Sequence, residues 1–289
     1  MGSSVLLGII YPSTYLSFLP LLILRFAGSI RRFNMKISIL GCGGSRGKNS
    51  RPTGFLVDEN LLLDAGTATE VLGLRKSAEI DHILITHAHL DHVGDLPFIA
   101  SAAFDLRKGP VILCGIEDAI KDISSHIFNW RIWPDVLQIP NTQEAKFSYK
   151  ILKPLKSIKV GSYNVLPIPV NHVVPTVGYI IDDGETAFAF TGDTHTTEVF
   201  WEKVRSKKKL RAIIIEASFP SYMEEMARIS GHLTPHLVAE ELKKLKRRDI
   251  EIYISHIKPL YREEVITELK SLSDKLPIKA LEDGMEINL

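Results

Sequence analysis

The sequence predicts an α/β (α+β) fold in which sheets are covered by helices. Three observations carry this. Short apolar runs recur along the chain, and several end on a bare His or Asp. Segments with helical spacing and capping residues lie between them. No internal repeat or low-complexity linker interrupts this pattern after residue 34, so residues 35–289 are expected to form one domain. With 45% hydrophobic and 24% charged residues, a chain of 289 residues can bury a large core.

The elements follow in order. KISIL (36–40), GFLVD (54–58) and NLLLDAG (60–66) are early strands separated by Gly-rich breaks. TATEVLGLRKS (67–77) is a helix, with Thr67 as its expected cap and Glu70 three residues on. HILIT (82–86) is a buried strand. A helix is expected from Leu96, where Pro97 suits the first turn. PVILC (110–114) is a strand and 116–129 a helix. The second half continues with strands at 162–170, 177–182, 186–193, 210–218 and 251–256. Helices are expected at 196–206 and 234–248, the latter capped by Thr234 with Pro235 at its first position.

Charge and cysteine content narrow the function. Lys and Arg number 35 against 34 Asp and Glu, which gives no general footprint for nucleic acid. Cys42 and Cys114 stand far apart, which argues against a disulfide framework or a thiolate zinc site and suits a cytoplasmic, reducing compartment. Residues 5–24 carry no charged side chain, and Arg25, Arg31 and Arg32 follow. A start at Met35 is the favoured account of this apolar extension (1–34). A membrane tether through residues 5–27 with its basic flank in the cytoplasm is the second, and a secretory signal the third. Pro12 and Pro20 weigh against a continuous spanning helix.

THAHLDHVGD (86–95) places His87, His89, Asp91 and His92 directly after a buried strand. Alternation points His87 and His89 the same way, and Asp91 and His92 face the same region from the loop beyond. Neutral imidazoles and carboxylates are the usual ligands of Zn²⁺ and related ions. Other strand ends supply His172, Asp193 and His256. Seven such groups suffice for two ions.

The run H-x-H-x-D-H, a later strand-end His, then TGD, then SH resembles the metallo-β-lactamase superfamily over residues 35–289. The resemblance implies a four-layer αβ/βα sandwich with its site along one edge of two facing sheets. It also implies a ligand set: His87, His89 and His172 on one ion, Asp91, His92 and His256 on the other, and Asp193 between them. The implied cofactors are two divalent metal ions, Zn²⁺ first, with Mn²⁺ or Fe²⁺ as alternatives. Such a pair lowers the pKa of a shared water, supplies hydroxide near neutral pH and neutralises charge on a phosphoryl oxygen. Asp91 is expected to orient that hydroxide.

Glu216 ends a strand, and His232 lies in SGHLTP at a helix entry. Neither has a place among the seven ligands. Together they are expected to hold an imidazolium that protonates the leaving alkoxide. HAHLDH and SGHLTP resemble the class II 3′,5′-cyclic-nucleotide phosphodiesterases, with Leu90 and Leu233 favouring that branch. PTGFLVD, NHVVPTVGY and IEASF are also similar to tRNA 3′-processing endonucleases of the RNase Z type. Asp193 follows His172 by 21 positions, which leaves no room for the long arm many of those enzymes insert there. The expected function is therefore a dinuclear phosphodiesterase that opens cyclic nucleotides to nucleoside monophosphates. RNA 3′-end cleavage is the alternative. The partner expected is a small-molecule phosphodiester, with RNA as the alternative and a homodimer as a further assignment.

Smaller expectations attach to other residues. Arg46 and the Gly-rich loop 41–53 serve turn geometry before anion binding. Thr176 and Tyr179 either line the pocket or fill a buried strand. His195 either supports Asp193 or lies exposed. His82, His126 and His236 are structural, and the basic runs 205–211 and 243–248 are solvated helix ends.

Overall fold

The structure, a computed structural model, describes residues 35–273 and 278–289. The apolar extension 1–34, with the expected start, tether and signal readings, lies outside the described residues. Among the described residues no helix is long and apolar enough to cross a membrane.

The first half contains strands β1 (Lys36–Gly41), β2 (Gly54–Val57), β3 (Leu61–Leu63), β4 (His82–Leu84), β5 (Val111–Gly115) and β6 (Phe147–Ile151). Its helices are α1 (Thr69–Ser77), α2 (Leu90–Val93), α3 (Leu96–Leu106) and α4 (Glu117–His126). The second half contains β7 (Ile158–Val160), β8 (Tyr163–Val170), β9 (Thr176–Asp182), β10 (Ala187–Phe190), β11 (Leu210–Glu216), β12 (Glu251–Ser255), β13 (Ile278–Ala280) and β14 (Glu286–Asn288). Helices α5 (Val199–Ser206), α6 (Glu224–Ser230), α7 (Pro235–Lys243) and α8 (Arg262–Ser273) accompany them.

The strands form two seven-stranded sheets, ordered β14-β1-β2-β3-β4-β5-β6 and β13-β12-β11-β10-β9-β8-β7. Each sheet is antiparallel on one flank and parallel on the other. The parallel members are β3 to β6 in the first sheet and β10 to β13 in the second. The last strand β14 crosses back to pair with β1, so the first and last of the described strands lie side by side in one sheet.

Alternation along the strands divides the interior into layers. In β11, Ala212 and Ile214 face a core shared with the first sheet, while Ile213 and Ile215 face α5, α7 and α8. Strand β10 divides the same way: Phe188 and Phe190 point inward, Ala187 and Ala189 outward. Phe190 meets Phe55 of β2 edge to face at 5.2 Å between ring centroids, joining the two sheets. Such a pair contributes about 0.5–1.5 kcal/mol beyond its buried area. Buried Ile99 and Ala103 of α3 and Ile120 and Ile123 of α4 cover the first sheet's other face. The result is the four-layer αβ/βα sandwich that the sequence resemblance implies.

Local differences from the sequence reading have physical causes. Thr67 does not cap α1; the Asp95 carboxylate does, accepting from the Ala68 and Thr69 amides. A buried acid reaching from 27 positions away thus replaces the local cap. Gly73, at φ 74°, interrupts the helical run in α1. Asp91 and His92 sit on the single helical turn of α2 rather than in a loop. Thr234 does cap α7, accepting from the Leu237 amide. Strands β6, β7, β13 and β14 and helices α6 and α8 have no counterpart in the sequence reading.

Candidate metal centre

The parallel strands of both sheets end along one edge, and the chemistry-bearing side chains stand there. His87 and His89 follow β4, and Asp91 and His92 belong to α2. His172 follows β8, Asp193 follows β10, and His256 follows β12. The structure brings all seven together although they span 169 positions in sequence. One ligand atom from each of His87, His89, His172 and Asp193 falls within 4.8 Å of the others, and the same holds for Asp91, His92 and His256.

Hydrogen bonds on the outer face of four of the five rings determine which nitrogen faces inward. His92 Nδ1 donates to Asp64 Oδ2 at 2.7 Å, which leaves Nε2 for the interior. His172 Nδ1 donates to the Gly231 carbonyl at 2.9 Å. His256 Nδ1 lies 3.0 Å from Ser218 Oγ, and His87 Nδ1 lies 3.0 Å from Thr86 Oγ1. Both hydroxyls hand their own protons to carboxylates: Ser218 to Glu216 and Thr86 to Asp64. Gly231 is required here. Its φ is 71°, and a Cβ would come within 2.8 Å of His172 Nδ1. Gly44 has a similar role, since a Cβ there would press on the His256 carbonyl at 2.5 Å.

The inward atoms crowd one another. Nε2 of His92 and Nε2 of His256 are 3.2 Å apart, and His172 Nε2 is 3.3 Å from His89 Nδ1. The outer hydrogen bonds leave several of these nitrogens as acceptors facing acceptors. Asp193 lies at the middle: Oδ2 is 3.2 Å from His256 Nε2 and 3.7 Å from His87 Nε2, and Oδ1 is 3.3 Å from His92 Nε2. Asp91 Oδ2 approaches His256 Nε2 at 3.3 Å. His87 Nε2 and Asp193 Oδ1 are buried and have no partner with hydrogen-bond geometry. Tetrahedral Zn²⁺ with bonds of about 2.0–2.1 Å sets its nitrogen ligands about 3.3–3.4 Å apart, close to the spacing found here. The donor set therefore fits divalent cations. Neither cysteine thiol is among the grouped ligand atoms: both are free and buried, and burial pushes the Cys114 thiol up to about 12.

The electrostatics favour ionised carboxylates and divide the imidazoles: burial would lower His92, but the Asp193 and Asp64 carboxylates raise it well above the ordinary value. Burial alone would raise the Asp193 carboxyl, but the His256 and His92 imidazoles outweigh it and hold the group well below the usual carboxylate range. Asp91 behaves likewise: burial opposes ionisation, and the hydrogen bond from His256 with the charge of His92 prevails. Burial lowers His87 well below the ordinary imidazole value, which favours its neutral, ligating form.

A second pair adjoins the cluster. Glu216 is fully buried at the end of β11, and its Oε1 lies 2.8 Å from His232 Nδ1. Its oxygens also accept from the Thr194 and Leu233 amides. Burial alone would lower the His232 imidazole; the Glu216 carboxylate overcomes this and raises it above the ordinary value. The His232 ring stacks on His256 with centroids 5.2 Å apart and lies 5.1 Å from the His172 ring. An imidazolium there stands at the edge of the seven-residue cluster. One of its nitrogens also lies within 4.8 Å of ligand atoms on Asp193 and His256.

A family model for class-II cAMP phosphodiesterases matches residues 74–275. This stretch covers more than half the chain and contains all nine residues above, His87 to His256. The chain belongs to the class-II cAMP phosphodiesterase family. Among members with names, a 3′,5′-cyclic-nucleotide phosphodiesterase of Aliivibrio fischeri is 32% identical over 68% of this chain and 64% of its own length. The chain thus spans less than two thirds of that relative. A ribonuclease Z of Clostridium kluyveri is 26% identical over 61% of this chain and 59% of its own length. Among solved structures, unliganded yeast PDE1 superposes with a TM-score of 0.75 at 19% identity, covering 88% of this chain and 99% of that one. At that identity the likeness concerns the fold.

Several residues that hydrogen-bond the cluster escape the sequence reading. Asp64, at the end of β3, accepts from the Thr86 amide and hydroxyl and from His92. It obeys the strand-end rule that singles out Asp193, yet the sequence reading runs the strand NLLLDAG through it to residue 66 and so does not single it out. Ser218, which connects His256 to Glu216, carries no sequence signal beyond its place two residues after Glu216. Other residues settle into structural roles. Tyr179 is core, its hydroxyl donating to the Ile85 carbonyl, and Thr176 is buried with its hydroxyl on the Val174 carbonyl. His195 is half-buried, and its Nδ1 lies 3.2 Å from Thr196 Oγ1 rather than against Asp193. Arg46 is exposed.

Proposed function

We propose that this protein is a metal-dependent phosphodiesterase that opens 3′,5′-cyclic nucleotides to nucleoside monophosphates, using two divalent ions held at this edge. The observation that carries the reading is the pairing of a seven-ligand cluster with the buried Glu216–His232 dyad beside it. His87, His89 and His172 would hold one ion, and Asp91, His92 and His256 the other, with Asp193 between them. Bound there, the ions would supply positive charge to a phosphoryl oxygen and a nucleophile deprotonated near neutral pH. Zn²⁺ suits the imidazole-rich set, and Mn²⁺ or Fe²⁺ suits its carboxylates.

The chain's own residues divide the remaining work. Asp91 is the one ligand carboxylate with appreciable exposure, 25% for its side chain against 2% for Asp193. It therefore orients the attacking oxygen as well as ligating. His232 carries the proton that the departing alkoxide needs, and Glu216 keeps that proton on the ring. Membership of a cyclic-nucleotide family supports a small substrate.

The test is turnover of cyclic AMP, cyclic GMP and a precursor tRNA by one metal-quantified sample with Zn²⁺ or Mn²⁺. Opening of a cyclic nucleotide, abolished by Asp91→Ala, is expected. Cleavage of the precursor tRNA with no cyclic-nucleotide turnover would move the chain to the RNase Z reading.

A further inference from the structure

Strand β6 is the outermost strand of the first sheet, and two cavities adjoin it. None of the nine residues of the metal centre and its acid–base pair lines either one. The first cavity, about 480 Å³, is apolar. Its walls are Phe104 of α3, Trp133, Val136 and Ile139 of the segment between α4 and β6, and Phe147 at the start of β6. Val136 and Phe147 are buried, whereas Phe104 is 48% exposed, so the chamber has an apolar floor and an open apolar rim. An edge-to-face contact with Phe98 of α3, ring centroids 5.7 Å apart, fixes Trp133 in the wall. The second cavity, about 420 Å³, is polar, with Lys108, Thr142, Gln143 and Glu144 around it. Lys146 and Phe147 line both. Each volume lies in the range of sites that enclose a small ligand.

Lys146 stands where the two chambers meet. Its Nζ donates to the Arg107 carbonyl at 2.9 Å and reaches the Lys108 carbonyl at 3.4 Å. Both partners are neutral, and an ammonium carries three N–H donors. Among the described residues neither Lys146 nor Lys108 forms an ion pair. The exposed Glu144 carboxylate in the polar chamber engages Asn141 Nδ2 at 2.9 Å instead of either lysine. A half-buried cation without a countercharge, beside an apolar chamber, suits an anion that brings its own apolar body. We propose that the two cavities form one binding site for a small amphiphilic anion, its apolar body between α3 and β6 and its charged end at Lys146. Burial of the body supplies affinity, and the ammonium supplies the preference for negative charge. Lysine acts as a compact point charge, so the site does not select among carboxylate, sulfate and phosphate ends. The site is separate from the metal centre and stands whether or not the phosphodiesterase reading does.

Isothermal titration calorimetry on the metal-loaded full chain, with decanoate, 1-decanol and acetate below micelle-forming concentrations, tests this. Decanoate should bind at about one molecule per chain, 1-decanol about tenfold or more weakly, and acetate not measurably over the same range. Phe104→Ser, at the exposed rim, should weaken decanoate and 1-decanol together by about tenfold. Lys146→Met should weaken decanoate about tenfold and leave 1-decanol unchanged, and Lys146→Arg should restore the difference. Circular dichroism verifies that the variants remain folded. Equal binding of decanoate and 1-decanol by the wild type would overturn the proposal, as would equal weakening of both by Lys146→Met, which would make the lysine a mere prop for the wall. Decanoate binding that ignores Phe104→Ser and Lys146→Met would place the ligand elsewhere, and no decanoate binding at all would remove the site.

Discussion

Two buried carboxylate–imidazole pairs flank the metal cluster, one on each sheet, and they differ in what the second ring nitrogen meets. Asp64 holds His92 at 2.7 Å and Glu216 holds His232 at 2.8 Å. His92 is wholly buried, and its free Nε2 looks at His256 and Asp193. His232 is 6% exposed and stacks against His256, and one of its nitrogens lies within 4.8 Å of ligand atoms on Asp193 and His256. On the proposed reading, the same pairing would aim a metal ligand in one place and store a proton in the other.

The largest expected effect lies at the rim. His232→Ala should lower kcat by about 10²–10⁴-fold while metal content stays at the wild-type level. Equal loss of metal and activity would make His232 a ligand instead. Next in size is the buried pair: Asp64→Asn should weaken metal affinity by about 10–100-fold, read by competition with a chelator. Unchanged affinity in that titration would remove Asp64 from the account.

The pairs should also separate by pH. With its pKa raised, His232 keeps its proton to a higher pH than an ordinary imidazole and loses it above that point. Activity that needs the proton should thus fall on the alkaline side, and Glu216→Gln should move that fall to lower pH. A profile whose alkaline limb ignores Glu216→Gln contradicts the proton-storing role. The smallest effect is expected at the hydroxyl that connects the two regions. Ser218→Ala removes the acceptor for His256 Nδ1 and one donor to Glu216, and should cost less than either Asp64→Asn or His232→Ala. A loss as large as that of His232→Ala would show Ser218 itself in the chemistry.

Much of the fold is legible in the sequence because near-continuous apolar runs, such as 187–190 and 210–216, declare strands buried on both faces. Strands β6 and β7 are harder to read. SYKI and IKV mix charges with short apolar stretches, and their places are set by pairing with β5 and β8. The Thr67 cap fails because Asp95, distant in sequence, outbids a local hydroxyl for the same amides. At the site, H-x-H-x-D-H is legible by density alone, and His172, Asp193 and His256 by the habit of ending strands. Asp64 obeys that habit, but the sequence reading carries its strand on to residue 66 where the structure ends it at Leu63, so the strand-end position is hidden. Ser218 and the Gly231 carbonyl act through geometry that only the folded chain creates. Glu216 is no surface acid: it is fully buried, and its strand-end position is the trace of that.

Metal stoichiometry tests the central claim most directly. Elemental analysis of protein dialysed against Zn²⁺ should give about two ions per chain, and Asp193→Ala, which removes the carboxylate proposed to lie between them, should leave about one or fewer. A wild type that retains no divalent ion, or an Asp193→Ala variant that retains both, would contradict the account.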